Sequence, residues 1–146
     1  MSYPFGLVPA SGDIEILSAK PASAFSRGDL LMFTSASSLS GMNLLQPSTA
    51  SIAGVALSAS TESYRDEVSY VVAKPNTTFR ISLATSLEGS DVTVGERHDI
   101  GAFNAYFSLE SSQLSLRAII TNIDNIAADS GRSYVSVRLL NSEWLI

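Results

Sequence analysis

The chain has one histidine, His98, in the stretch GERHDIGAF. Glu96 and Asp99 flank it, and a His with two carboxylates is the raw material of a general base or a metal site. The spacing works against both. On a strand Glu96 and His98 share a face while Asp99 points away. A zinc or catalytic centre also recruits further His, Cys or carboxylate ligands, and the sequence has no second His and no Cys. The stretch therefore reads as a solvated turn entering a strand. Other reactive patterns are equally thin. Arg27, Gly28 and Asp29 spell an adhesion tripeptide, yet Gly-Asp ahead of LLMF is the turn that launches a strand. Asn76 to Thr78 match a glycosylation sequon, which carries weight only in a secreted chain. Glu62, Asp66 and Glu67 flank Arg65 in TESYRDE, as in an ordinary solvated turn. Serines abound, but no GxSxG elbow, SxxK box, P-loop or GxGxxG fingerprint occurs. The residues predict no enzyme, no metal and no cofactor.

Composition bounds the alternatives. The 146 residues are 45% hydrophobic and only 16% charged, whereas soluble domains average about 25% charged. Ser, Thr, Ala and Asn fill the difference. Such a surface suits a protein that lies against other protein, where buried charge is costly. Net charge is -5, the lysines are Lys20 and Lys74 alone, and the arginines are scattered along the chain. Nucleic-acid grooves need clustered cations, so no nucleic-acid partner is expected. No run approaches the roughly 18 apolar residues of a membrane span, so no membrane is expected either. The start, MSYPFGLVPASG, lacks the basic and apolar regions of a signal peptide.

The elements that would position any site read as strands. Ile14 and Ile16 alternate in DIEIL, and GDLLMF (28 to 33) is a short apolar run. SIAGVAL (51 to 57) holds Gly54 inside it, which marks a bulge or a close backbone approach. Val68, Tyr70 and Val72 share one face of EVSYVV, and Phe79, Ile81 and Leu83 share the inner face of TFRISL. Leu114, Leu116, Ala118 and Ile120 group together, as do Val135, Val137 and Leu139 against Ser136 and Arg138. TNIDNIAADS (121 to 130) is the best helical turn, with Ile123 and Ile126 three apart, and equally a loop. SGMNLLQPSTAS reads as a long Ser-rich connection, and 85 to 95 as a protruding loop or hairpin. The pattern predicts an all-β single domain, a sandwich or barrel of about eight strands over 12–146. Residues 1–11 form an extended arm, since Pro4 and Pro9 block regular pairing. Its apolar residues pack either over their own domain or on a neighbouring subunit. Trp144, Leu145 and Ile146 end the chain, with Trp144 expected to close the core beneath the last strand.

The order of these segments resembles the capsid decoration, or cement, proteins of tailed bacteriophages. The features are an N-terminal FGLVP arm, GDLLMF, a loop ending in LLQP, IAGVALSA, VSYVVAKPNTTFRI, VGERHDIGAF and the closing strand YVSVRLLNSEWLI. The likeness covers about residues 1 to 107; the Ser-rich loop at 34 to 51 is long for it, and 104 to 132 carry no matching motif. The resemblance implies a β-rich protein, made in the host cytoplasm and placed on the outer surface of an icosahedral head. It implies a homotrimer at three-fold or quasi-three-fold positions, with the major capsid protein as partner. The function expected is mechanical, bridging neighbouring capsomers. The arm residues Tyr3, Pro4, Phe5, Leu7 and Val8 are the expected capsid contacts, adding an edge strand with aromatic anchors. The alternatives are another virion part, such as a tail-associated or head-fibre base protein, and a carbohydrate-binding β-sandwich.

Overall fold

A computed structural model of the chain describes residues 6–34, 44–47, 52–60, 67–83, 92–103, 106–111, 113–114, 117–126 and 133–140. Among the described residues there is no helix, and the fold is all-β. The strands are β1 (Val8–Ser11), β2 (Ile16–Pro21), β3 (Leu30–Thr34), β4 (Leu44–Pro47), β5 (Gly54–Ala56) and β6 (Val68–Val72). They continue as β7 (Thr78–Ser82), β8 (Arg97–His98), β9 (Ile100–Phe103), β10 (Tyr106–Leu109), β11 (Ala118–Ile126) and β12 (Ser133–Leu139). The strands exceed the expected eight because β1, β4, β8, β9 and β10 span only two to four residues. That is too short for alternation to show in sequence.

Five strands close into a barrel in the order β2-β4-β3-β5-β6. Every contact in it is antiparallel except β2 with β4. Five others form an antiparallel sheet, β1-β7-β12-β11-β8. The β9-β10 hairpin reaches β7 through a Leu83–Leu109 bridge. Alternation divides the core between these bodies. Leu31, Leu45, Val68, Tyr70 and Val72 fill the barrel with Phe25, and the Phe33 and Tyr70 rings meet edge-on at 6.1 Å. The opposite parity, Leu30, Val55 and Val71, packs with Phe79, Ile81, Val135 and Val137 of the sheet. The central barrel strands are therefore buried on both faces, which is why β5 and β6 read as nearly continuous apolar runs. Gly54 is the close approach its position suggested. A Cβ there would lie 2.1 Å from the Val71 carbonyl oxygen and 2.7 Å from the Tyr70 ring.

Three segments differ from expectation. Leu44–Pro47, expected within a connection, is β4, and its two leucines are fully buried. Leu114 stands fully in solvent ahead of β11 and is not grouped with Ala118 and Ile120. The segment 121–126 is strand, not a helical turn. Two bulges in β11, between Ile120 and Asn122 and between Ile123 and Asn125, each insert a residue against β12. A bulge turns the two-residue repeat of a strand face into three, so Ile120 and Ile123 face Val137 and Val135 with helix-like spacing. Residues 127–130 and Trp144 to Ile146 lie outside the described residues.

Candidate functional site

The expected contact arm divides at Gly6. Tyr3, Pro4 and Phe5 lie outside the described residues. Gly6 crosses the Gly28 turn with φ +74°, so close that a Cβ would sit 2.5 Å from the Gly28 carbonyl oxygen. The Leu7 N–H then donates to that oxygen at 2.9 Å, and the Leu7 side chain is 2% exposed within the main core. Val8 opens β1 and is paired with Arg80 of β7. β1 is the edge of the five-stranded sheet, the one place where Pro9 is tolerated. From Gly6 to Ser11 the arm thus packs over its own domain.

The next residues are stitched to the turn between β6 and β7. Thr77 Oγ1 donates to the Asp13 carbonyl at 2.6 Å, and the Val72 N–H donates to the Glu15 carbonyl at 2.9 Å. Lys74 Nζ lies 2.9 Å from Glu15 and 3.2 Å from Asp13. Hydrogen bonds that the ammonium donates to these two carboxylates, Glu15 first, hold it above its ordinary range. Burial, and then the Glu15 charge, raise the neighbouring Tyr70 phenol as well.

On this pinned segment the alternation of DIEIL does not lead inward. Ile14, Ile16 and Leu17 are 43%, 57% and 43% exposed. The register explains it. Ile16, Leu17 and Ser18 pair with Val71, Tyr70 and Ser69 of β6, but β4 reaches β2 only at Lys20 and Pro21. Among the described residues the start of β2 has a strand neighbour on one side only. Ile16 and Leu17 are consecutive, so they point to opposite faces and both are open. The result is an apolar ledge that directly follows the arm, with Ile14 and Ile16 on one face and Leu17 on the other, in the segment that Lys74 ties down through Asp13 and Glu15. Large exposed apolar groups held in place are a mark of an interaction surface. Sequence reasoning saw Ile14 and Ile16 alternate but not that they are exposed, because alternation does not say which face is covered.

Of the other sequence candidates, His98, Asp99 and Asp29 are buried. His98 is buried at 4% exposure, which corrects the solvated-turn reading. It lies on the core side of β8, opposite Ala118. Its Nδ1 bonds the Glu110 carbonyl at 2.9 Å, and Nε2 lies 4.0 Å from Glu96. The other Glu96 oxygen accepts from the Thr93 N–H. Asp99 Oδ2 accepts from the Leu114 N–H. Among the described residues no three His, Cys, Asp or Glu gather as a metal would require. Asp29 of the RGD stretch is turned inward, and its carboxylate accepts the Ser26 N–H at 2.9 Å. Burial raises its pKa above the usual carboxylate value, partly offset by that bond. Residues 61–66 lie outside the described residues.

No family model matches this chain. No curated protein matches it either.

Proposed function

We propose that this protein is a structural virion component that binds the outer surface of an icosahedral phage head and bridges neighbouring capsomers. The observation that carries this reading is the ledge of Ile14, Ile16 and Leu17, exposed on a fixed strand directly after the arm. The sequence likeness supports it. GDLLMF, LLQP, IAGVA and VSYVV, the segments that carry the resemblance, become β3, β4, β5 and β6 of one barrel. The protein works by contact and performs no reaction. Cement must bind the assembled shell in preference to free subunits; occupancy at a hundred times the dissociation constant adds about 2.7 kcal/mol per site. Bridging several capsomers at once, as a trimer at a three-fold position, multiplies a modest affinity. The partner is the major capsid protein and the location is the virion exterior.

Co-sedimentation with mature and immature heads tests the reading. Wild-type protein is expected to pellet with mature heads and to raise their melting temperature. The double variant Ile16→Ser, Leu17→Ser is expected to bind about tenfold more weakly, the scale of losing one apolar anchor. Removing Met1–Phe5 tests Tyr3, Pro4 and Phe5 without touching Leu7. Protein that stays in the supernatant beside intact heads ends the proposal. A double variant that binds as the wild type does removes the ledge from it.

A further inference from the structure

The sheet gathers arginines that the sequence keeps far apart. Arg97 on β8 pairs with Ile119 on β11, Ile119 with Arg138 on β12, Arg138 with Thr78 on β7, and Thr78 with Ser11 on β1. Partners in an antiparallel ladder point to the same side, so these residues form one row across the sheet. The alternate positions His98, Ala118, Val137 and Phe79 are buried in the core, which puts the row on the outer face. Ser11 Oγ and Thr78 Oγ1 meet on it at 2.6 Å. The next row contains Arg80 and Val8 beside Ser136, which is buried, as are Tyr134 and Ser82 beyond it. The open part of this face is therefore the row from Arg97 to Ser11 together with Arg80. Arg80, Arg97 and Arg138 are all exposed.

The spacing is set by the sheet. Two strand separations place the Arg97 and Arg138 backbones about 10 Å apart with Ile119 between them. Arg80 is a diagonal neighbour of Arg138 and already has a partner within the chain. Among the described residues no carboxylate forms an ion pair with Arg97 or Arg138. The single acid of these five strands, Asp124, is at the second bulge, toward the far end of β11. The face is therefore locally basic on a chain of net charge -5.

We propose that the outer face of the five-stranded sheet docks an acidic protein segment, whose carboxylates the Arg97 and Arg138 guanidiniums grip on either side of Ile119. Two planar forks fit carboxylates in bidentate fashion, and Arg with a central apolar residue is the usual composition of a protein interface. A polynucleotide fits less well. Two cations would release only about two counterions, well short of the basic groove that tracks a polynucleotide backbone. The proposal is independent of the phage-head reading, because it concerns a different face and names the partner only by its charge.

The test is fluorescence anisotropy with the full chain, using labelled poly-L-glutamate and an oligothymidylate of equal charge at low ionic strength. The wild type is expected to bind poly-L-glutamate, and to lose that binding as salt screens it. The pair Arg97→Gln, Arg138→Gln is expected to bind about tenfold more weakly. The charge-matched pair Lys20→Gln, Arg27→Gln is expected to bind as the wild type. If the Gln pair fails to fold, Arg97→Lys, Arg138→Lys keeps the charge and removes the fork, and a several-fold loss is expected. The proposal is overturned by no poly-L-glutamate binding, by equal losses in both Gln pairs, or by unchanged affinity in the Arg97 and Arg138 variants. Tighter binding of the oligothymidylate overturns it in favour of a nucleic-acid face.

Discussion

Replacing Leu7 with Ala tests whether the start of the chain is part of the core or a free hook. Leu7 is 2% exposed and belongs to the cluster of Leu30, Phe79 and Ile81. Its backbone is held by the bond from its N–H to Gly28, and the following strand is paired with β7. The chain around it can therefore close the space only partly. Leu→Ala changes at such sites cost about 2–5 kcal/mol, rising with the cavity left behind. Restraint on one side and a nearby surface on the other place Leu7→Ala near about 3 kcal/mol. At this chain length 1 kcal/mol moves the melting temperature by about 3 °C, so the midpoint is expected to fall by about 10 °C. Urea unfolding followed by far-UV circular dichroism measures the same loss as a lower midpoint with an unchanged slope. At a temperature where the variant is folded, its attachment to phage heads is expected to match the wild type. A loss under about 1 kcal/mol, smaller than any buried leucine should give, refutes the core assignment and returns Leu7 to the contact arm.

Gly54→Ala is expected to destabilise by about 3 kcal/mol or more, because its Cβ meets the Val71 carbonyl oxygen at 2.1 Å and that atom is backbone; a melting curve unchanged within error contradicts the close approach. Asp29→Asn is expected to raise stability at neutral pH. Burial raises the folded-state pKa above 3.8, so the folded protein holds this proton more tightly than the unfolded chain does. Ionised Asp29 therefore opposes folding, and the opposition fades as pH falls through the raised value toward 3.8. The melting-temperature gain of the variant should shrink over the same window. A variant less stable at neutral pH would mean that the Ser26 bond outweighs burial. The Ile16→Ser, Leu17→Ser pair, by contrast, is expected to leave stability within about 0.5 kcal/mol, since both side chains are exposed in the wild type.

Alternation and punctuation were enough to read the strand character of β3, β5, β6, β7 and β12 from the residues. Phe79, Ile81 and Leu83 alternate with Arg80 because one face of their strand is dry and the other wet, and that requirement is local. The sequence by itself also determined that the chain has no thiol chemistry and only one histidine. Tertiary structure decided the rest. Whether DIEIL faces the core depends on how far β4 runs along β2, a distance set elsewhere in the chain. The three-residue spacing of Ile120 and Ile123 becomes strand-like only through bulges imposed by β12. His98 is buried because β8 lies against β11, and Arg97 and Arg138 become neighbours across Ile119 by the same pairing. Periodicity records which residues share a face of one strand. The partner strand determines which face is covered and which distant residues come to share it, and such non-local contacts leave no mark in the spacing of a single segment.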